Sequence, residues 1–71
     1  MKNINELKKQ IGLNLFKIRR ERNLSIYQSA LLMGVKKSKL DGLERGHGCM
    51  NLSKLIKYAG FYKVPVKRFF E

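Results

Sequence analysis

The sequence predicts an all-α fold, a compact bundle of five short helices, from three observations. Apolar residues recur three and four positions apart through most of the chain, as they do along one face of a helix. Serine, asparagine, glycine and proline separate these stretches at positions where they favour helix ends. No stretch alternates apolar and polar residues as a half-buried strand does. The 71 residues suffice for one small domain with a marginal core.

The first helix is predicted at 5–22. Its apolar stripe consists of Ile4, Leu7, Ile11, Leu15 and Ile18. Asn3 or Asn5 suits the N-cap, and Asn23 tolerates the left-handed conformation in which helices often end.

Two features of this helix leave alternatives open. Residues 1–10 form a basic N-terminal extension, read either as the start of the helix or as a loose arm, and 11–71 form the main domain. Leu13 and Phe16 lie off the apolar stripe. They either thicken the core, which is the interpretation we favour, or form an exposed apolar patch.

The stretch Ser25–Gly46 reads as two short helices joined by a tight turn. Ser25 and Gln28 have the spacing of a capping box, which starts the first of these helices. Gly34 breaks it, and a second helical pattern begins near Lys37 and continues to the end of the stretch. Two short helices around a glycine-containing turn form a helix-turn-helix.

The start of the third helix has two possible registers. If it begins near Lys37, then Lys36, Lys37 and Lys39 crowd its N-terminus, where the helix dipole disfavours each cation by about 0.3–1 kcal/mol unless an anion such as phosphate is present. If Ser38 is the cap, paired with Asp41 in a capping box, the lysines lie in an ordinary exposed turn. Both registers present the lysines to solvent.

A fourth helix is predicted after Asn51, which suits an N-cap. Its apolar face consists of Leu52, Leu55, Ile56, Ala59 and Tyr62. Pro65 then marks a boundary, because proline is tolerated only in the first turn of a helix. A short fifth helix is expected to carry Val66, Phe69 and Phe70.

The charge of the chain points to a polyanionic partner. Sixteen Lys and Arg stand against five Asp and Glu, a net charge of +11. Such a field attracts nucleic acid first and an anionic membrane surface second, although a solvated basic surface has the same composition. No apolar run approaches the roughly 18–20 residues of a membrane span, and the N-terminus lacks the apolar region of a secretory signal. We expect a cytoplasmic protein.

No catalytic, cofactor or metal site is expected. His47 and Cys49 each stand alone, so the chain has no disulfide pair and no cluster of metal-ligand residues. No nucleophile has a base at a recognisable spacing, which argues against an enzyme. We read Cys49 as a small apolar filler or an idle thiol, and His47 as an exposed loop residue or a phosphate contact.

Residues between Ile11 and Phe70 carry a family resemblance. They are Ile11, Gly12, Leu15, Ile18, Arg19, Glu21, Arg22, Leu24, Ser25, Ala30, Gly34, Val35, Ser38, Leu40, Leu43, Glu44, Arg45, Gly46, Leu52, Leu55, Ala59, Val64 and Phe70. The run LERG at 43–46 is the most specific part. In this pattern the chain resembles the Xre/Cro family of phage-repressor-like helix-turn-helix domains, which implies a five-helix bundle of the lambda-repressor-like type.

The resemblance implies a double-stranded DNA-binding domain whose third helix, about 37–45, enters the major groove, usually as a homodimer on a palindromic operator. It implies base-edge contacts at Lys36, Lys37, Ser38 and Gly42, and phosphate contacts at Lys39, Arg45 and His47. Tyr27 and Gln28 of the second helix are also candidate DNA-binding residues. The resemblance further implies that Glu44 is buried and paired with Arg19. Dimer contacts are expected at Phe61, Tyr62, Val64, Val66 and Phe69, unless these residues form the core.

The chain departs from the family pattern at three informative positions. Ile26 stands where the family usually has Gln, Lys63 where it often has Gly, and Gly42 removes a side chain from a base-reading position. The family also usually has polar residues at the positions of Leu13, Phe16, Leu31, Leu32 and Phe61. The lost Gln and these apolar residues support an alternative, a protein-interaction module that modulates another regulator or polymerase. Its apolar contact patch would comprise Leu13, Phe16, Ile26, Leu31 and Leu32. The +11 charge favours the first function, a sequence-specific transcriptional regulator, and that is our prediction.

Overall fold

The computed structural model describes residues 3–48 and 51–71, and in them the chain forms four α-helices, one 3₁₀ helix and no strand. The α-helices are α1 (Ile4–Glu21), α2 (Ile26–Met33), α3 (Lys37–Glu44) and α4 (Leu52–Tyr62), and the 3₁₀ helix is Val66–Phe70. The predicted all-α class is confirmed, whereas the prediction of five α-helices is wrong because the last element is not α-helical. Cys49 lies outside the described residues.

Side-chain caps start α1, α2 and α4 as the sequence predicts. Asn3, Ser25 and Asn51 each accept a hydrogen bond from the backbone N–H three residues on, at 2.9–3.0 Å. The Gln28 side chain in turn accepts from the Ser25 N–H at 2.8 Å, which completes the predicted capping box. After α1, Asn23 adopts a left-handed φ of 57°, in the role that its residue type indicated.

α3 begins without a side-chain cap, so the register that placed Ser38 at the N-cap is wrong. The N-cap is Lys36, whose carbonyl accepts from the N–H groups of Lys39 and Leu40 at 3.0 and 3.1 Å. Ser38 therefore lies within the first turn. The lysines at 36, 37 and 39 surround a helix N-terminus at which the N-cap forms no side-chain capping hydrogen bond.

The expected fifth helix is a 3₁₀ helix, held in place by α1. Its Arg68 N–H donates to the Pro65 carbonyl at 3.0 Å, a bond that spans three residues. Asn14 donates to the Phe69 carbonyl at 2.8 Å, and Gln10 donates to the Phe70 carbonyl at 3.0 Å. Because side chains of α1 engage these carbonyls, the segment is fixed as one short turn.

One face of each helix contributes to a single core. Its buried apolar side chains are Ile11, Leu15, Ile18, Ala30, Met33, Leu40, Leu43, Leu55, Tyr58, Ala59, Tyr62 and Phe69. Tyr62 and Phe69 are thus inside the monomer and have no surface to offer a second copy, which corrects their assignment to the dimer contacts. Phe61, Val64 and Val66 are half-buried against the same core.

Several apolar residues predicted to face the core are exposed instead. Leu13 and Phe16 lie on the surface of α1, so the interpretation of both as core is wrong. The Phe16 ring lies under the guanidinium of Arg19, whose Cζ is 5.3 Å from the ring centroid. On α4, Leu52 and Ile56 are exposed although they share the apolar pattern of that helix.

α1 and α3 are joined by a close approach and an ion pair. A Cβ on Gly12 would collide with the backbone carbonyl of Leu43, so glycine allows the two helices to touch. Further along α1, Arg19 donates to the Glu44 carboxylate at 2.7 and 3.0 Å and to the Leu24 carbonyl at 2.8 Å. The hydrogen bond that Arg19 donates to the Glu44 carboxylate raises the pKa of Arg19. The pair implied by the family resemblance is therefore present.

We expect Glu44→Ala to lower the free energy of unfolding by about 3 kcal/mol, because it leaves a buried guanidinium without its anion. The paired side chains are only 9% and 6% exposed. Urea denaturation followed by helical circular dichroism measures the loss. Asp41→Ala is the control, since it removes an exposed ion pair with Arg45 and is expected to cost less than about 1 kcal/mol. Equal losses would contradict a structural role for the buried pair.

Candidate nucleic-acid interface

A fixed turn connects α2 to α3. Gly34 ends α2 in the left-handed conformation, with φ 71°, and the Val35 N–H donates to the Ala30 carbonyl at 3.0 Å. Val35 is half-buried against the core, and Leu40 of α3 is buried within that core. The two short helices are therefore held at a set angle from within, and the outer face of α3 is left open.

The outer face of α3 is a ridge formed by Ser38, Gly42 and Arg45, which are spaced i, i+4 and i+7. The inward residues Leu40 and Leu43 lie on the opposite side of the helix. Ser38 and Arg45 are exposed. A Cβ built on Gly42 would have no atom within 4 Å, so this position offers bare backbone and open space.

Three lysines surround the open N-terminal end of α3. Lys36, Lys37 and Lys39 are exposed, and none of them forms an ion pair within residues 3–48 and 51–71. The Lys37 ammonium lies over the ring of Tyr27 from α2, with Nζ 5.1 Å from the ring centroid. Such a contact restricts a flexible lysine at little cost in solvation. The structure thus brings two of the predicted site residues together.

The other predicted site residues have neighbours of their own. The side-chain carbonyl of Gln28 accepts from the backbone of Ser25, within the cap of α2. Arg45 forms an exposed ion pair with Asp41, with Nε 3.2 Å from Oδ2. His47 is exposed in the turn after α3, and its backbone N–H donates to the Gly42 carbonyl at 2.7 Å.

Asp41 has a role on this face that differs from the one its spacing predicts. The capping-box spacing predicts that Asp41 pairs with Ser38, but its carboxylate forms an ion pair with Arg45 on the outer side of α3. The i, i+4 spacing of an acid and an arginine was the signal for this contact. Two more carboxylates, Glu21 and Glu44, are paired with arginines away from this face. The surface around the α3 N-terminus therefore remains strongly positive.

A family model described as Helix-turn-helix, HTH_3, matches residues 15–69. The chain belongs to this family. The result confirms the resemblance to Xre/Cro-type helix-turn-helix domains that the sequence indicated. No functionally curated protein matches the chain by sequence.

Solved structures agree with membership of the HTH_3 family. The restriction-modification controller protein C.AhdI from Aeromonas hydrophila is 28% identical, with a TM-score of 0.81 over 92% of this chain and 97% of that one. An HTH_3 family transcriptional regulator from Vibrio cholerae is 32% identical, with a TM-score of 0.86 over 96% of this chain but only 38% of that one. The DNA-binding domain of BldD is 29% identical, with a TM-score of 0.87 over 94% of this chain and 97% of that domain.

Within the HTH_3 fold, two departures from the family pattern have structural explanations. Ile26 opens α2 and packs against the core, so this position contributes packing where a glutamine would contribute polarity. Lys63 ends α4 with a φ of 58°, a left-handed conformation that glycine adopts at lower cost. Neither residue disturbs α3.

The apolar patch considered for a protein partner is divided between two helices. Leu31 and Leu32 are exposed on α2, whereas Leu13 and Phe16 are exposed on α1. Ile26 is half-buried and belongs to the edge of the core.

Among the described residues, no helix has both the length and the hydropathy needed to span a membrane.

Proposed function

We propose that this HTH_3 protein is a sequence-specific, double-stranded DNA-binding transcription regulator that acts in the cytoplasm. The observation that carries the proposal is the outer face of α3, where exposed lysines surround an open helix N-terminus on a rigid helix-turn-helix. Phosphate is the ligand that such an end favours, because N–H dipoles and lysine charges act in the same direction. The names of the similar structures, a controller protein, a transcriptional regulator and a DNA-binding domain, agree with this function.

The dimensions of α3 suit the major groove of DNA. An α-helix with its side chains is about 10–12 Å across, and the groove is about 12 Å wide. The eight residues of α3 are about 12 Å long, so the exposed face of the helix can lie along the groove. In this pose Lys36, Lys37 and Ser38 reach base edges, where a lysine can bond guanine O6 and N7. Lys39, Arg45 and His47 contact phosphates at the flanks and set the register of the helix on the duplex.

We further propose that the protein binds as a homodimer on a palindromic operator. One α3 with a glycine in the middle of its outer ridge offers few base contacts, so a single domain would discriminate weakly. Two copies related by a two-fold axis double those contacts on half-sites one helical turn apart. The net charge of +11 contributes affinity for any duplex, and this part falls steeply as salt rises.

A second candidate function is a protein-interaction module built on the same fold. The observation that favours it is the exposure of Leu31 and Leu32 on α2, at 82% and 58%. Neighbouring exposed leucines on one short helix are typical of a protein contact. This surface leaves α3 free, so the two functions are compatible in one molecule.

Selection of bound duplexes from a random DNA pool at near-physiological salt tests the proposed function. We expect recovery of a palindrome with half-sites about one helical turn apart, that is, 10–10.5 base pairs. Recovery of no motif, with binding that vanishes as salt rises, would reduce DNA binding to charge attraction. In that case the leucines of α2 become the leading functional surface.

We expect Lys37→Ala to weaken binding to the selected operator by about 1–3 kcal/mol more than binding to random duplex, because Lys37 reads a base edge. Lys39→Ala is the matched control, since it removes one exposed lysine that contacts phosphate. It should weaken both complexes equally and reduce the slope of log affinity against log salt by about one. Fluorescence anisotropy across a salt series measures both. Equal losses on the two duplexes would make Lys37 a phosphate contact as well.

We expect Tyr27→Leu to weaken operator binding by about 0.5–1 kcal/mol, because the lysine above its ring loses a cation–π contact. Tyr27→Phe keeps the ring face and should keep the affinity. Anisotropy titrations of both variants on the same operator provide the comparison. If Phe and Leu weaken binding equally, the Tyr27 hydroxyl acts on DNA directly and the ring has no part in positioning Lys37.

A further inference from the structure

An apolar groove of about 200 Å³ lies where the N-terminal half of α1 meets the start of α4. Its walls are Ile4 and Leu7 from α1, Leu52 from α4 and Phe70 from the 3₁₀ helix. All four side chains are exposed, Ile4 to 69% and Leu52 to 60%. Ile56, one turn beyond Leu52, extends the same apolar surface along α4. Contiguous exposed apolar side chains on a small protein are typical of an interaction surface.

The floor of the groove is part of the core. Ile11 and Leu55 are buried side chains that line its base. A partner that fills the groove would therefore extend the core of the monomer. The extra buried apolar surface would stabilise a domain of 71 residues, because chains of this size bury too little apolar surface to be strongly stable alone.

The charges around the groove indicate which partner can bind there. Among residues 3–48 and 51–71, Lys8 is the one charged side chain that lines the groove, in a chain of net charge +11. Glu6 and Glu71 are exposed chain neighbours of the wall residues, and neither forms an ion pair within the described part of the chain. This face is therefore a place where two strongly basic molecules can approach with reduced repulsion.

We propose that the groove is the contact surface between two copies of this chain. The inference rests on the proposed function, in which the protein acts as a homodimer, and it names the surface that joins the copies. A two-fold contact buries the same apolar walls from both sides. It also brings the acids Glu6 and Glu71 of each copy near Lys8 of the other, which partly neutralises the interface.

The position of the groove leaves the DNA-binding end free. Just past the C-terminal end of α3, Gly46 packs on α1, where a Cβ would lie 2.9 Å from the Lys9 Cα. The groove includes the neighbouring residue Lys8, so it lies toward the C-terminal side of α3. The lysines at 36 and 37 are at the opposite end of that helix. A dimer formed through the groove therefore keeps both lysine clusters exposed.

The test is the oligomeric state of the full chain without DNA, measured by sedimentation equilibrium over a range of protein concentrations. Leu52→Glu is the probe, because a carboxylate in the first turn of α4 favours the helix dipole and the variant should fold. Leu31→Glu is the matched control, the same change at an exposed leucine away from the groove. Circular dichroism verifies that both variants keep their helical content.

We expect the wild-type chain and Leu31→Glu to form dimers of equal affinity, and Leu52→Glu to weaken the dimer about tenfold or more. The wild-type dimer should tighten as salt rises from about 0.1 M to 1 M, because the Debye length falls from about 10 Å to 3 Å and repulsion between the copies is screened. A chain that is monomeric at every concentration would overturn the inference. So would a dimer that Leu52→Glu leaves intact or that both variants weaken equally.

Failure of this inference is distinguishable from failure of the proposed function. If the chain selects an operator but Leu52→Glu dimerises normally, only the surface assignment is wrong. If the groove dimer forms but the random pool yields no motif, the dimer stands and the DNA-reading function fails. If both hold, Leu52→Glu should lose affinity for the full palindrome and bind a single half-site as the wild-type chain does.

Discussion

The guanidinium of Arg19 is the contact on which the arrangement of the helices depends. It holds both oxygens of Glu44 at the end of α3 and the Leu24 carbonyl just before α2. A single side chain on the longest helix therefore fixes the positions of both helices of the motif. Gly12 adds the steric condition, because any larger residue would push α3 away from α1. All this support comes from the inner side, which leaves the outer face of α3 free for a partner.

Charge and apolar surface are separated on this molecule. Lysines without ion pairs in the described part of the chain gather at the start of α3, whereas exposed apolar side chains gather between α1 and α4. The acids divide in the same way, since Glu21, Asp41 and Glu44 pair with arginines and Glu6 and Glu71 stand near the groove. A small domain can thus bind a polyanion at one surface and an apolar partner at another without competition between them.

Local chemistry made much of this fold predictable. The caps at Asn3, Ser25 and Asn51 depend on one side chain and the backbone beside it, so the sequence alone identifies them. The exposure of Leu52 was not predictable, because an apolar residue has the same helical spacing whether it faces the core or a partner. Of the two registers that the sequence left open for α3, the one beginning near Lys37 is correct and the one capped by Ser38 is wrong. Ser38 satisfies a capping pattern, but the turn after Gly34 commits the chain to helix earlier.

The absence of a side chain at Gly42 affects how related proteins can evolve different DNA targets. It lies in the middle of the outer ridge of α3, with ordinary helical backbone and no neighbour within 4 Å of a Cβ. Most side chains there would also improve the helix, by up to about 1 kcal/mol relative to glycine. A gene copy carrying one substitution at this position could acquire a new target while keeping its fold and its assembly. A single substitution at Gly42 can therefore change the DNA target without a loss of fold stability.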